Sequence, residues 1–180
     1  VGGLPIDIEI FSDLAKKYNF ILIEDAAESL GSEFKKKKIG SFDHITTFSF
    51  HMAKTITTIE GGCIVSKNEK IIKKMEQIRN FGITSDERYV HDVLGTNFKT
   101  TDLQSALGIQ QLKKIKKFID RRNKVASRYR KEIQDIQFQE IPNFVSKHAY
   151  MLFFGIASSA NKKDEILKKC IKNGIDCRSA

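Results

Sequence analysis

The sequence contains few cysteines and no long apolar segment. Its three cysteines, Cys63, Cys170 and Cys177, are an odd number without C-x-x-C spacing, so we expect free thiols rather than a disulfide framework or a zinc site. No apolar run approaches the roughly 20 residues that span a bilayer. The opening segment, Val1–Pro5, has neither the basic region nor the apolar stretch of a signal peptide. These absences predict a cytoplasmic protein with no metal site and no membrane partner.

The sequence also has no aromatic platform beside its basic residues. Its formal net charge of +9 raises the question of a nucleic-acid partner. The lysines are scattered over predicted helix faces and one loop, residues 35–38, so a solvated surface is the better interpretation and no nucleic acid is expected. A phosphate-bearing substrate is compatible with this charge. The 41% hydrophobic and 29% charged composition is typical of a globular chain with one domain or a little more.

Helical and strand patterns alternate along the chain. The short apolar run Phe20–Ile23 predicts a strand that is buried on both faces, as in a parallel sheet. Residues 31–40 predict an exposed hairpin or loop, and 84–97 a long polar loop. Further strands are predicted over 45–50, 62–66 and 149–157, and helices over 5–17, 68–79, 102–134 and 162–172. The pattern predicts an α/β fold.

A carboxylate and a lysine stand beside the ends of predicted strands. Glu24 and Asp25 follow the first strand, and ligands in open α/β sheets bind outside the carboxyl ends of strands. Lys54 lies on a short loop between two strands, where a desolvated amine is suited to react with a carbonyl group. An aspartate after a strand also commonly caps the next turn, and a lysine in a loop is usually a solvated charge. This pattern alone therefore names no reaction.

The sequence around Lys54 resembles the motif of a known family. Phe48–Gly62 resembles the motif F-S-F-H-x-x-K-x-x-T-x-G-E-G-G of the DegT/DnrJ/EryC1/StrS family, the pyridoxal 5′-phosphate (PLP)-dependent aminotransferases of nucleotide-linked sugars. Ile23–Gly31 is similar to the family's E-D-A-A-[QHE], and His91–Gly108 to its H-x-x-x-G-x-N-x-R-x-x-x-x-Q-A-A-x-G. The resemblance covers nearly the whole chain and implies that it corresponds to roughly the middle half of such an enzyme.

The resemblance implies a fold-type I PLP-dependent transferase with a mixed sheet flanked by helices. Residues 1–134 would belong to the PLP-binding large domain, including a long linking helix. Residues 135–180 would begin a small α+β C-terminal domain.

The same resemblance implies a role for each site residue. Lys54 is the Schiff-base lysine and the catalytic acid/base, and Asp25 is the partner of the pyridine nitrogen. Glu28 lies beside the ring and its phenolic oxygen, and Ser49 contacts the cofactor phosphate. Asn97 reaches the phosphate of the neighbouring active site across a homodimer interface.

The implied reaction moves an amino group from glutamate to a nucleotide-linked keto sugar, for surface polysaccharide biosynthesis. The sequence of Thr55–Gly62 favours 4-amino sugar formation of the perosamine type. Two alternatives remain open. A PLP-dependent sugar dehydratase of this family carries histidine in place of Lys54, and a non-catalytic or regulatory relative would keep the fold without turnover.

Three departures from the family motifs bear on these alternatives. Ile59 replaces a usual glycine, and a β-branched residue there is strained if its φ is positive. Lys99 replaces an arginine and loses the planar bidentate fork. Asp43 and His44 replace Gly-Asp, and we expect His44 to be a surface or capping residue.

Overall fold

The computed structural model describes residues 1–84 and 89–179, so part of the long loop predicted over 84–97 lies outside the described residues. The cysteines in the described part are free thiols, as predicted. None of the helices described in these two ranges is long and apolar enough to cross a membrane. The helices are α1 (Ile8–Tyr18), α2 (Glu69–Arg79), α3 (Asp102–Leu112), α4 (Ile115–Glu132) and α5 (Ala160–Lys172). The strands are β1 (Ile23–Asp25), β2 (Glu33–Phe34), β3 (Lys37–Lys38), β4 (Ile45–Ser49), β5 (Gly62–Val65), β6 (Gln137–Phe138), β7 (Val145–Lys147) and β8 (Gly155–Ile156).

A mixed sheet of the order β1-β4-β5 positions the site residues. Strand β1 runs parallel to β4, with Asp25 opposite Thr47. Strand β5 runs antiparallel to β4, with Ser49 opposite Gly62. Strands β1 and β4 are parallel, so their carboxyl ends lie at the same end of the sheet. Asp25 and Ser49 are the last residues of these strands and therefore lie at that end. The predicted mixed α/β fold is confirmed.

One face of this sheet packs on the hydrophobic core. Strand β4 alternates between the buried side chains of Thr46 and Phe48 and half-buried side chains on its other face, as a period of two requires. Phe48 joins a cluster with Ile8 of α1, Phe34 of β2, Ala26 and Ile39. Burying a phenylalanine of this kind stabilises the fold by roughly 1.5–3 kcal/mol.

The lysine-rich segment forms the predicted hairpin. Strands β2 and β3 pair antiparallel, with Phe34 opposite Lys37. The two turn residues, Lys35 and Lys36, have φ values of +45° and +66°, the positive values that a two-residue type I′ turn needs. Strand β7 pairs with the other edge of β2, so a strand from the C-terminal part of the chain joins this hairpin.

The prediction of a strand buried on both faces at Phe20–Ile23 was wrong. The strand begins only at Ile23, and the side chains of Ile21 and Ile23 are 74% and 60% exposed. Among the described strands β1 has β4 as its single neighbour, so it lies at an edge of the sheet. Parallel pairing with β4 was nevertheless correctly indicated by the apolar run.

The predicted strand over 149–157 is mostly irregular. Only Gly155–Ile156 forms a strand, paired with β6. Tyr150 has a φ of +46°, which takes the chain out of an extended path at this position. Its ring instead stacks on His148, with the ring centroids 3.9 Å apart.

The single long helix predicted over 102–134 is two helices. The chain leaves regular helix geometry at Lys114, with φ −100° and ψ −12°, and α4 begins at Ile115. Helix α4 then packs closely on the turn at Gly31, where a Cβ atom would lie 2.3 Å from Cδ1 of Ile119. The break therefore lets α4 take its own direction against the N-terminal part of the fold.

Candidate active site

Lys54 lies on the predicted loop between β4 and β5. The stem of the loop is closed by the backbone of Phe50, whose N–H donates to Gly61 (2.8 Å) and whose carbonyl accepts from the N–H of Thr58 (2.9 Å). The N–H of Lys54 donates to the carbonyl of His51 at 2.9 Å. Its side chain is 20% exposed. The lysine stem is thus held in a closed loop while its amine remains accessible.

Glu28 is the side chain that approaches the Lys54 amine. Its Oε1 atom lies 3.9 Å from Lys54 Nζ, and its Oε2 atom accepts a hydrogen bond from the N–H of Gly2 at 2.6 Å. Gly2 has a φ of +72°, and a Cβ there would lie 2.5 Å from the ring of Phe154. Only glycine therefore brings the backbone this close to Glu28.

Asp25 ends β1 with an exposed side chain. Its Oδ1 atom accepts from the N–H of Ala27 at 3.0 Å, so the carboxylate also makes the capping contact that an aspartate after a strand commonly makes. This contact occupies one acceptor position, and a carboxylate has about four. Asp25 is therefore able to bind a second donor on the open side of the sheet.

Ser49 and Asn97 occupy different parts of the structure. Ser49 ends β4, and its hydroxyl oxygen accepts from the N–H of His51 at 3.3 Å, which leaves its proton for another acceptor. Asn97 lies on an exposed segment bridged to Asn80, and its side chain accepts from the N–H of Lys99 at 3.2 Å. The fold of one chain thus brings Asp25, Glu28, Ser49 and Lys54 to one region, while Asn97 makes its contacts elsewhere.

The structure shows the conformation or contacts of two residues that depart from the family motifs. Ile59 has a φ of +73° and is 59% exposed, so the strain expected for a β-branched residue is present. Lys99 donates to Oδ1 of Asn80 at 3.0 Å, and its Nζ atom lies 5.4 Å from the centre of the Phe81 ring. Lys99 is thus engaged locally, in contacts that do not use a bidentate fork.

The expectation that His44 is a surface or capping residue was wrong. Its side chain is 5% exposed, and its Nε2 atom lies 2.8 Å from Oε2 of Glu24, whose side chain is 4% exposed. The strand alternation explains this pair, because Glu24 and Asp25 are consecutive in β1 and point to opposite faces. The sequence did contain a signal for the Glu24–His44 pair. Glu24 and Asp25 are consecutive carboxylates on one strand, so one of them has to lie on the buried face and needs a partner there.

Thr55 is a further residue that sequence reasoning missed. Its hydroxyl is buried and has no hydrogen-bond partner in the described part of the chain. Thr55 also lines a cavity of about 450 Å³ together with Arg122, Tyr150 and Phe153. Burial lowers the pKa of Arg122, whose guanidinium donates to the carbonyl of Tyr150 at 3.0 Å. The segment that carries Lys54 therefore lines the same cavity as helix α4.

Comparison with known proteins decides the family. The profile of the DegT/DnrJ/EryC1/StrS aminotransferase family matches residues 1–180. The chain belongs to this family. The predicted resemblance and the fold-type I architecture of its PLP-dependent members are thereby confirmed.

Three known proteins illustrate the similarity. The UDP-4-amino-4,6-dideoxy-N-acetyl-beta-L-altrosamine transaminase of Campylobacter jejuni is 44% identical over 135 residues, which are 74% of this chain and 36% of that protein. The GDP-perosamine synthase of Escherichia coli O157:H7 is 34% identical over 98% of this chain and 48% of its own length. The solved GDP-4-keto-6-deoxy-D-mannose-3-dehydratase of Escherichia coli, with bound hydrated PLP, has a TM-score of 0.86 and 26% identity, and covers 99% of this chain and 51% of its own. The chain spans about half the length, or less, of the family members it matches.

The side chains of the site fit PLP, the cofactor of this family. Lys54 offers an amine to an aldehyde, Asp25 offers a carboxylate to a ring nitrogen, and Ser49 offers a hydroxyl proton to a phosphate. These three groups stand on β1, on β4 and on the loop that follows β4. These three side chains are thus complementary to the aldehyde, the ring nitrogen and the phosphate of PLP.

Proposed function

We propose that the protein is a PLP-dependent aminotransferase that moves an amino group from glutamate to a nucleotide-linked keto sugar in amino-sugar biosynthesis. The observation that carries this proposal is the accessible Lys54 amine, held on a closed loop 3.9 Å from the Glu28 carboxylate. The sheet edge beside this loop carries Asp25. Similarity to a transaminase named for a UDP-linked sugar and to a synthase named for a GDP-linked sugar supports the substrate class.

Lys54 is the catalytic residue in this proposal. PLP, when bound, supplies an electron sink for the electron pair left behind when a carbon beside the substrate nitrogen loses its proton. The Lys54 amine would hold the cofactor aldehyde, and after its release by the substrate amine it would be free to act as a base. Lys54 Nζ would then move the proton from the substrate carbon to C4′ of the cofactor, as a general acid/base.

Asp25 and Glu28 control the ring of the cofactor. The Asp25 carboxylate holds a proton on the pyridine nitrogen, because an ionised carboxylate favours a positive charge beside it. Glu28 would contact the ring and its phenolic oxygen, and the N–H of Gly2 fixes the orientation of its carboxylate. Glu28 lies 3.9 Å from Lys54 Nζ, so both side chains are close enough to hold the same cofactor.

Ser49 and Asn97 are the proposed phosphate ligands. Ser49 Oγ accepts from a backbone N–H and therefore directs its proton outward, as a phosphate donor must. Asn97 is exposed and makes its contacts with Asn80 and Lys99. This exposure supports the proposal that Asn97 serves the site of a partner subunit in a homodimer, because an exposed side chain is available to a second chain.

A sugar dehydratase is the second candidate, because a 3-dehydratase of this family has the same fold at 26% identity. A lysine at position 54 favours the aminotransferase, since the dehydratases that this family is known to contain carry a histidine there. A non-catalytic relative is the third candidate, because Ile59 has a strained conformation on the loop that carries Lys54.

The test is the near-visible absorbance of the intact protein after incubation with PLP, before and after borohydride reduction. We expect a band in the wild type that reduction fixes covalently, and no fixed cofactor in Lys54→Ala. Lys67→Ala is a matched control, because Lys67 is an exposed lysine paired with Asp43 at 2.7 Å, away from the site. Absence of a band in all three proteins would reject PLP chemistry and favour the non-catalytic relative. Transamination and dehydration of a nucleotide-linked keto sugar are then separated by whether glutamate loses its amino group.

A further inference from the structure

Two consecutive carboxylates end the strand that carries the proposed ring partner. Glu24 is buried and Asp25 is exposed, because successive side chains of β1 point to opposite faces of the sheet. Either residue has the chemistry to hold a proton on a pyridine nitrogen. Their placement therefore decides which carboxylate reaches the open side of the sheet.

The backbone pairing of β1 with β4 does not by itself fix which of the two carboxylates is buried. Strand β1 has 3 residues, and β4 is its single neighbour among the described strands. A shift of one residue in the pairing of a strand moves every side chain to the opposite face. Such a shift would bring Glu24 to the open side and put Asp25 into the core.

The buried face of β1 contains a partner that fits Glu24. His44 Nε2 donates to Glu24 Oε2 at 2.8 Å, and Thr46 Oγ1 donates to the same oxygen at 3.4 Å. The ring of Phe42 lies nearly parallel to the His44 ring, with centroids 6.0 Å apart. Both side chains are about 95% buried, and a buried carboxylate is tolerated where such partners meet it.

We propose that His44 is a positioning residue for Asp25. By binding Glu24 on the buried face, His44 fixes the register between β1 and β4, and this register directs the Asp25 carboxylate to the cofactor ring. The proposal rests on the proposed function, since it assumes that PLP binds beside Asp25. The family motif has Gly-Asp where this chain has Asp43 and His44, so the histidine partner is a feature of this sequence.

Three substitutions in the intact protein test this role. His44→Gln keeps an N–H donor with enough reach to bind Glu24, whereas His44→Asn has the same amide on a side chain one methylene shorter. Asp43→Asn is the matched control, because Asp43 is the exposed neighbour of His44 and pairs with Lys67 instead. The readouts are the dissociation constant of PLP, from absorbance titration, and the nitrogen NMR signal of isotopically labelled PLP, which reports protonation of the ring nitrogen. Thermal melting curves show at which temperatures each variant is folded, and both measurements are made at those temperatures.

We expect PLP binding within about threefold of the wild type for Asp43→Asn and His44→Gln, and at least about tenfold weaker binding for His44→Asn. The ring nitrogen signal of His44→Asn should move towards that of the unprotonated ring, which a merely structural role would not produce. Wild-type affinity and an unchanged nitrogen signal in folded His44→Asn would overturn the proposal. A wild type that binds no PLP would instead reject the proposed function itself.

An exchanged pair decides the matter if His44→Asn does not fold. Glu24→His combined with His44→Glu restores a buried histidine and carboxylate between β1 and β4, so we expect PLP affinity within about threefold of the wild type. A folded exchanged variant with tenfold weaker binding would contradict the positioning role. Failure of both variants to fold would also overturn it, because the pair would then serve stability alone.

Discussion

The Glu28 carboxylate lies 3.9 Å from Nζ of Lys54, in a pair whose side chains are 29% and 20% exposed. This separation is too long for a hydrogen bond, so Lys54 keeps its donors for another group. Glu28 is held independently by the N–H of Gly2. The carboxylate thus stays in place when the lysine moves, as a lysine that exchanges partners during a reaction requires.

Substitution of Glu28 should separate its two contacts. We expect Glu28→Gln to keep the acceptor for Gly2 and to change the free energy of unfolding by less than about 1 kcal/mol, because a partly exposed ion pair contributes little. Glu28→Ala also leaves the N–H of Gly2 without its acceptor, and should cost about 1–2 kcal/mol. Urea denaturation of the two variants measures the difference. Equal losses in both would show that the contact with Gly2 contributes nothing.

Replacing the strained Ile59 should stabilise the fold. The left-handed conformation costs a β-branched residue about 1–2 kcal/mol, and the side chain is 59% exposed and loses little burial when removed. After the flexibility of glycine is subtracted, we expect Ile59→Gly to raise the free energy of unfolding by about 0.5–1 kcal/mol. Ile21→Gly is the control, because Ile21 is also exposed but has no positive φ, and it should destabilise. A less stable Ile59→Gly would mean that the loop does not store strain.

Stability should fall in mild acid because of His148. Burial, with a contribution from Arg130, lowers the pKa of His148 from 6.5 to about 4 in the folded state. Below pH 6.5 the unfolded chain therefore binds a proton that the folded chain excludes until about pH 4, and stability is lost across this window. We expect His148 to account for a loss of about 2–3 kcal/mol, measured by urea denaturation at a series of pH values.

The control for this prediction is His148→Asn. Nδ1 of His148 accepts from the N–H of Tyr150 at 2.8 Å, and an asparagine oxygen is able to take over that contact without titrating. The unfolding free energy of His148→Asn should therefore vary less between pH 6.5 and 4 than that of the wild type. Parallel curves for the two proteins would rule out His148 as the cause.

Mixed dimers should reveal whether Asn97 serves a partner's site. In a mixture of inactive Lys54→Ala and Asn97→Ala chains, each mixed dimer has one site with both residues intact. Random exchange should then restore about a quarter of wild-type activity, because half of the dimers are mixed and one of their two sites works. Activity that stays at the level of the separate variants would place Asn97 in the site of its own chain.

Much of the site geometry was predictable from local sequence. Asp25 follows an apolar run that parallel strands favour, and Lys54 lies between two strands, so their meeting at one sheet edge follows from strand pairing. The lysine-rich hairpin was predictable from its polar turn. Both features require only that neighbouring elements pair, and the polar turns and apolar runs of the sequence indicate those elements.

Other features depend on contacts between distant segments. The burial of His44 follows from the register of β1 against β4, and a single sequence does not give that register. The exposure of Ile23 follows from the position of β1 in the sheet, although an apolar run is the same at an edge and in the centre. The break at Lys114 comes with the packing of α4 on Gly31, whereas helical periodicity continues across it.

The edge position of β1 has a consequence for handling the protein. Ile23 of β1 and Ile21 just before it are exposed, and the outer hydrogen-bonding groups of β1 have no partner among the described strands. Such an edge is a template on which another chain adds a strand, and natural proteins protect edges of this kind with charges, proline or a covering segment. Purification of this chain by itself should therefore yield concentration-dependent aggregates that grow from β1, and the substitution Ile23→Lys should delay them.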